Sequence, residues 1–277
     1  MSTAHGTTSP VDVRADCTAD ADGRLTFVLR TPSTAARLLL RLRPGKGQPE
    51  KVLLTLDFEA AGDGRRRAVL EPGAELAEGR WDVYLLPGPD APRQRLRPGL
   101  RDLRTLVDGR LRDWPAPVAV RVPYVTKDGC LAVRAWLRTA HAEVEGIDVT
   151  DRSMTVRARL HGAALGGDAT VRLRLRGKGG TERTVVPVAE ADGRGFSFTV
   201  HYGELADDAG PGNRVWDLFV RAGGAAGGET PVRIGRLFDD IADRKEIFVL
   251  PAAALGGTVV RPYYTVDNDL SVLADRT

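Results

Sequence analysis

Short runs in which apolar and charged residues alternate dominate this chain. LRLRPGKG at 40–47 sets leucine against arginine and then turns at Pro44–Gly45. TVRLRLRGKGG at 170–180 does the same, with Val171, Leu173 and Leu175 on one side and Arg172, Arg174 and Arg176 on the other. MTVRARL (154–160) and FSFTV (196–200) alternate likewise. A period of two over short runs bounded by Gly, Asp and Pro predicts half-buried antiparallel strands. PVAVRVPYVT (117–126) places Val118, Val120, Val122 and Tyr124 on one face. Asp128–Gly129 supplies a tight turn, and CLAVRAWL returns with Leu131, Val133 and Ala135 facing together. Pro123 and Pro262 cannot donate to a ladder, which predicts an edge or a bulge at each. Helical spacing is confined to RDLRTLVDGRLRDW (101–114) and IGRLFDDIADRKE (234–246), so one short helical turn per repeat is expected.

The chain repeats itself. PYVTKDGCLAV (123–133) matches PYYTVDNDLSV (262–272), and GRWDVYLL (79–86) matches NRVWDLFV (213–220). LRLRPGKG resembles LRLRGKGG (173–180), and DGRLTFVL (22–29) resembles DRSMTVRA (151–158). The order is the same in both halves, and the offset drifts from 129 to 139 residues. A period this long means two complete domains in tandem. The fold class expected is all-β: two tandem antiparallel β-sandwiches of immunoglobulin-like size. The expected division is a disordered N-terminus at 1–10, repeat 1 at 11–138 and repeat 2 at 139–277. The immunoglobulin Cys…Trp…Cys pattern is absent, so the likeness is one of architecture. The last strand, LSVLADRT, ends almost with the chain and raises pairing between chains as an expectation.

Composition narrows the functional classes. The 277 residues are 42% hydrophobic, enough for buried cores, and the net charge of +3 is too small to imply a nucleic-acid partner. No run of eighteen apolar residues occurs, so no membrane span is expected. The N-terminus lacks a basic start followed by an apolar core, and two cysteines, Cys17 and Cys130, are too few for a disulfide scaffold. A cytoplasmic location with two free thiols follows as the expectation.

Candidate chemistry is sparse. His5, His141, His161 and His201 share no metal-ligand spacing, and no G-x-S-x-G elbow exists. RPGKGQ and RGKGG lack the hydroxyl residue of a phosphate loop and read as hairpin turns. Asp239, Asp240 and Asp243 have Arg236, Arg244 and Lys245 beside them, which favours a solvated face over a metal site. No metal and no cofactor are expected. In GRRRAVL, Arg65 and Arg67 face one way and Arg66 the other, as on a guarded edge. Trp81 and Trp216 hold equivalent strand positions and read as core plugs. The sharper idea is a binding surface repeated at each hairpin: Tyr124, Thr126, Lys127 and Asp128 in the first copy, and Tyr263, Tyr264, Thr265 and Asp267 in the second. Turn chemistry alone can also demand the Thr and Asp.

The shared pattern P-Y-[VY]-T-x-D-[GN]-x-L-x-V resembles segments of β-sandwich modules attached to actinobacterial glycosyltransferases and glycerophosphotransferases of the teichoic-acid type. That resemblance implies a non-catalytic module beside cell-envelope polymer synthesis, serving assembly or acceptor binding. The chain departs from it in having no transferase domain, so it would act in trans or as a homologue put to another use. Two functions are therefore carried forward. One is a binding or assembly module with a protein partner, a second copy of itself, or an anionic glycan. The other is an enzyme or carrier with a cleft between the domains, lined by Trp136, Arg138, His141 and Glu143.

Overall fold

The structure, a computed structural model, describes residues 12–31, 33–50, 52–108, 114–177, 180–207, 212–224 and 230–276. The expected disordered segment 1–10, His5, and part of the 178–180 turn lie outside the described residues. The backbone packs as two units: Met1–Arg110 with Ala119–Leu137, and Leu111–Val118 with Arg138–Thr277.

The first unit contains β1 (Arg14–Ala19), β2 (Leu25–Arg30), β3 (Arg37–Leu42), β4 (Leu53–Asp57), β5 (Glu59–Ala60) and β6 (Arg65–Leu70). It continues with β7 (Gly79–Leu86), β8 (Gln94–Arg95), β9 (Arg97–Asp102), α1 (Arg104–Asp108), β10 (Val118–Val125) and β11 (Leu131–Arg138). The second contains β12 (His141–Val149), β13 (Ser153–His161), β14 (Thr170–Leu175), β15 (Glu182–Val185), β16 (Val188–Ala189) and β17 (Gly195–His201). After α2 (Tyr202–Asp207) come β18 (Gly212–Arg221), β19 (Val232–Gly235), β20 (Ala253–Leu255), β21 (Thr258–Tyr264) and β22 (Leu270–Arg276). The protein is all-β, as the alternating pattern predicts, and among the described residues no helix is long and apolar enough to cross a membrane.

The two units share one strand order, apart from β20, which pairs on the outer side of β21 in unit 2 alone. Unit 1 has sheets β5-β6-β2-β1-β9 and β10-β11-β7-β3-β4. Unit 2 has β16-β17-β13-β12 and β20-β21-β22-β18-β14-β15, with β19 hydrogen-bonded to both β12 and β18. In unit 1 the work of β19 is divided: β8 pairs with β7, Leu96 intervenes, and β9 pairs with β1. This switch between sheets gives each unit one parallel pair, β1–β9 and β12–β19, in an otherwise antiparallel frame. The two tryptophans occupy the same lattice point. Trp81 lies between Leu42 and Val133, and Trp216 between Leu175 and Val272. Both are buried, as expected of core plugs, and Trp81 Nε1 donates to the Ala77 carbonyl at 3.0 Å. In unit 2 one core draws on both sheets, from Val144, Val156 and Phe198 on one side to Trp216, Leu218, Val260 and Val272 on the other.

Pro123 sits on an edge strand, and Pro262 lies beyond the reach of the three-residue β20, so neither ring removes a ladder bond. The final strand β22 is paired on both sides, with β18 and β21, so it offers no free edge. Helix α1 forms within 101–114 but covers five residues, and 109–113 lie outside the described residues. The segment 234–246 is not helical. After β19 three of its backbone donors go to side chains of other elements: Leu237 and Phe238 N–H to Glu143, and Arg244 N–H to Asn268. The short helix of unit 2 is α2, anchored by buried Tyr202 and Leu205 at i and i+3.

Candidate functional site

The hairpins owe their matched residues to turn chemistry. Thr126 N–H donates to the Cys130 carbonyl at 2.9 Å, while the Thr126 hydroxyl accepts from Cys130 N–H at 2.9 Å. Thr265 N–H donates to the Asp269 carbonyl at 2.8 Å, and its hydroxyl accepts from Asp267 and Asp269 N–H. The residue after the aspartate needs positive φ: Gly129 has 73° and Asn268 has 61°. Thr126 and Thr265 are buried, so both belong to the frame more than to a surface.

Around the second hairpin this frame opens a groove of about 400 Å³. Tyr263, Thr265, Asp267 and Asp269 line one wall, Asp217 and Phe219 of β18 the floor, and Arg176, Arg233 and Lys245 complete it. Alternation along β18 sends Trp216 and Leu218 into the core and Asp217 and Phe219 outward. Arg176, the last arginine of the LRLR run, donates Nε to Asp217 Oδ2 at 2.8 Å and Nη2 to Oδ1 at 2.7 Å. Ser271 Oγ donates to the same Oδ1 at 2.7 Å, and Arg233 Nη1 lies 3.2 Å away. Burial works against ionisation of Asp217, but Arg176, Ser271 and Arg233 hold its carboxyl below the ordinary range. Arg233 lies 4.8 Å from the centre of the Phe219 ring and 3.3 Å from Asp269. Burial pushes the Tyr263 phenol up, against the pull of Arg176.

Unit 1 carries the same set. Arg43 Nε donates to Asp82 Oδ1 at 2.7 Å, and Arg41 Nη2 donates to Oδ2 at 2.9 Å. Arg95 stands 3.2 Å from Asp82 and 5.3 Å from the Tyr84 ring centre. Arg43 thus corresponds to Arg176, Asp82 to Asp217, Tyr84 to Phe219 and Arg95 to Arg233. The Trp-Asp pairs are visible in the sequence, but attention to their tryptophans hides the aspartates, which are the hubs. Lys127 and Asp128 are exposed on the turn, and Arg97 Nη1 donates to the Asp128 carbonyl at 2.5 Å. Tyr124 is half-buried, 5.9 Å from the Arg80 guanidinium.

The remaining sequence candidates lie elsewhere. Tyr264, next to Tyr263 but on the opposite strand face, is buried against Phe248. Trp136 is buried with the Arg134 guanidinium 4.9 Å from its ring. Arg138 donates to Asp269 Oδ1 at 2.9 Å. His141 and Glu143 are buried on β12, with His141 Nε2 2.8 Å from Glu143 Oε2. Burial pushes the Glu143 carboxyl up to about 7, while Leu237 and Phe238 N–H pull it down. Phe238 packs edge-on to His141 and His161 and stacks on Trp114 at 5.0 Å. This cluster anchors the irregular segment that carries Lys245 to the groove. Among the described residues no group of three His, Cys, Asp or Glu side chains is placed to hold a metal, and Asp239 is engaged by Arg244 and Arg236. Cys17 and Cys130 are free and buried, and burial pushes the Cys17 thiol up to about 12.

A larger groove of about 580 Å³, lined by Asp151, Arg152, His201, Gly203 and Leu255 among others, has no Tyr, Trp or Phe in its walls. No protein-family model and no curated protein sequence matches the chain. Among solved structures it is similar to S. aureus TarS, at 13% identity and TM-score 0.40, over 60% of this chain and 29% of that one. The 217–571 piece of S. aureus TarS aligns at 11% identity and TM-score 0.28, over 67% of this chain and 54% of that one. A tetra-tandem repeat from the extending region of a large adhesion protein aligns at 8% identity and TM-score 0.21, over 96% and 66%. The chain thus spans less than a third of the TarS chain and about half of its 217–571 piece. With TM-scores below 0.5, these likenesses carry nothing beyond themselves, and function rests on the site.

Proposed function

We propose that the chain is a non-catalytic binding and assembly module whose second unit holds a hydroxyl-rich glycan segment, as an accessory to a cell-envelope glycopolymer transferase. The observation that carries the reading is the groove beside Tyr263. It joins two aromatic rings, three cationic donors and three carboxylates on one fixed frame. Hydroxyl groups both donate and accept, so mixed Arg/Asp walls suit a sugar, and ring faces suit its apolar side. The three positive and three negative side chains balance, which favours a neutral segment there over a strongly anionic one. The hairpin segments' resemblance to modules of glycopolymer transferases supports the choice of polymer. The alternative enzyme or carrier reading has less support. Trp136, His141 and Glu143 are buried, and Arg138 is engaged by Asp269.

Saturation-transfer NMR with a panel of neutral oligosaccharides and with poly(glycerol phosphate) tests this. Saturation transfer to at least one glycan is expected, with affinity reduced about tenfold or more in Tyr263→Ala, equivalent to about 1.4 kcal/mol. The folding midpoint of that variant should stay close to the parent's. Equal binding by Tyr263→Ala, or no transfer to any glycan, would overturn the reading.

A further inference from the structure

Matched positions of the two hairpins differ in charge. The first turn reads Lys127, Asp128, Gly129, Cys130, and the second Val266, Asp267, Asn268, Asp269. Lys127 and Asp128 cancel, whereas Asp267 and Asp269 leave two negative charges. The difference falls on the arginine that stacks on the aromatic ring. In unit 2, Arg233 Nε lies 3.3 Å from Asp269 Oδ2, so two carboxylates, Asp217 and Asp269, compensate that guanidinium. Among the described residues its counterpart Arg95 forms an ion pair with Asp82, which also serves Arg41 and Arg43, while Asp128 acts on Arg95 at longer range.

Cys130 stands where unit 2 has Asp269. It is buried, and burial raises its thiol pKa, so it offers no negative charge at neutral pH. Arg95 Nη2 stands 3.2 Å from Asp82 Oδ1, and its buried Nε makes no hydrogen bond. Arg97 Nη1 approaches the same thiol at 3.7 Å. Leu131 N–H donates to the Leu96 carbonyl at 2.8 Å, which fixes the segment carrying Arg95 and Arg97 against the hairpin. The Arg95 and Arg97 side chains are 27% and 38% exposed, so the cluster reaches solvent.

We propose that the hairpin root of the first unit binds a phosphate group through Arg95 and Arg97, with Lys127 on the same turn, the phosphate supplying the charge that Asp269 supplies in the second unit. Planar guanidinium forks match the oxygens of a phosphate. Arg97 is itself paired with Asp12, but Arg41, Arg43, Arg93, Arg95, Arg97 and Lys127 outnumber Asp12, Glu50, Asp82 and Asp128 around this root by two, which suits a doubly charged group. The inference stands on the first unit alone, so its failure would leave the glycan reading of the second unit untouched.

Inorganic phosphate is the probe, titrated into the full chain and followed by backbone amide shifts. Saturable shifts in the low millimolar range are expected at 126–131 and not at 265–270. Cys130→Asp, which installs the carboxylate of unit 2, should weaken binding at least tenfold, while Cys130→Ser should retain it. Arg95→Gln should also lose binding and leaves Asp82 paired with Arg41 and Arg43, so it decides the matter if Cys130→Asp fails to fold. Unchanged binding in Cys130→Asp or Arg95→Gln, equal shifts at both hairpins, or no saturable shift would overturn the proposal.

Discussion

Arg176 meets Asp217 through two hydrogen bonds of 2.8 and 2.7 Å, and Arg43 meets Asp82 at 2.7 Å from the matching position of the other unit. Each arginine closes an LRLR run, and each aspartate follows the buried tryptophan of its unit. The pair is therefore built by strand alternation. The tryptophan faces inward, the next residue outward, and the neighbouring strand delivers a guanidinium to it.

Asp82 is 2% exposed and serves Arg41, Arg43 and Arg95. Its removal leaves guanidiniums crowded together without their shared counter-charge. Asp82→Asn is expected to destabilise the protein by about 3 kcal/mol, within the usual cost of breaking a buried pair by removing one partner. Urea unfolding measures it. A midpoint equal to that of the parent would show that the aspartate is not a hub.

The duplication, the strands and the hairpin turns were legible because they follow from period-two alternation and from local turn rules. Leu173 and Leu175 against Arg172 and Arg174 suffice for that, as does Asn268 at a position demanding positive φ. The segment 234–246 misleads, because Ile234, Leu237 and Phe238 recur at a spacing that fits a helix while their backbone is held otherwise. Its donors are satisfied by Glu143, more than ninety residues earlier. No local pattern encodes a partner so distant in sequence. The groove was half legible. Tyr263 and Asp267 stand out by repetition, whereas Arg233, Asp217 and Lys245 reach it from three different elements.

Asn268 does more than its counterpart Gly129. It is fully buried, its Oδ1 accepts from Arg244 N–H at 3.0 Å, and its Nδ2 donates to the Ile241 carbonyl at 3.0 Å. Asn268→Gly keeps the turn geometry but leaves two buried backbone groups unpaired. A loss of about 2 kcal/mol is expected, with faster amide exchange at Arg244. Asn268→Gly with parental stability and exchange would rule out this tether between the hairpin and the 236–248 segment.

Glu143 makes the stability of the fold depend on pH. Burial raises its carboxyl to about 7 in the folded protein, above its ordinary value of 4.5. Between those values the folded state binds more protons than the unfolded one, so this group's contribution to stability falls as pH rises from about 4.5 to about 7. Glu143→Gln replaces one of the two acceptor oxygens with an NH2 that faces a backbone N–H, so it is less stable throughout. The parent's advantage over Glu143→Gln should shrink by more than about 1 kcal/mol between pH 5 and 7. An advantage that is constant or grows with pH would refute the assignment.

Arg121 of β10 fastens two loops. It is buried, and desolvation holds its guanidinium below the ordinary range. Its acceptors are backbone carbonyls of two loops. Nη1 donates to Glu71 at 2.8 Å and to Gly23 at 3.4 Å, and Nη2 to Pro72 at 2.9 Å and to Ala74. One planar group thus fastens the β1–β2 turn and the β6–β7 connection, a task that needs several donors in fixed directions. Arg121→Met fills similar volume but leaves these carbonyls without a donor, and a loss of about 3 kcal/mol is expected. Arg121→Lys keeps the charge and offers fewer donors at a single point, so it should recover less than half of that loss. Urea unfolding gives both numbers, and amide exchange at residues 20–24 and 71–76 should rise in the methionine variant. If Arg121→Lys matches the parent, charge alone suffices and the fork geometry is irrelevant; if Arg121→Met matches it, the carbonyls find donors elsewhere and the arginine fastens nothing.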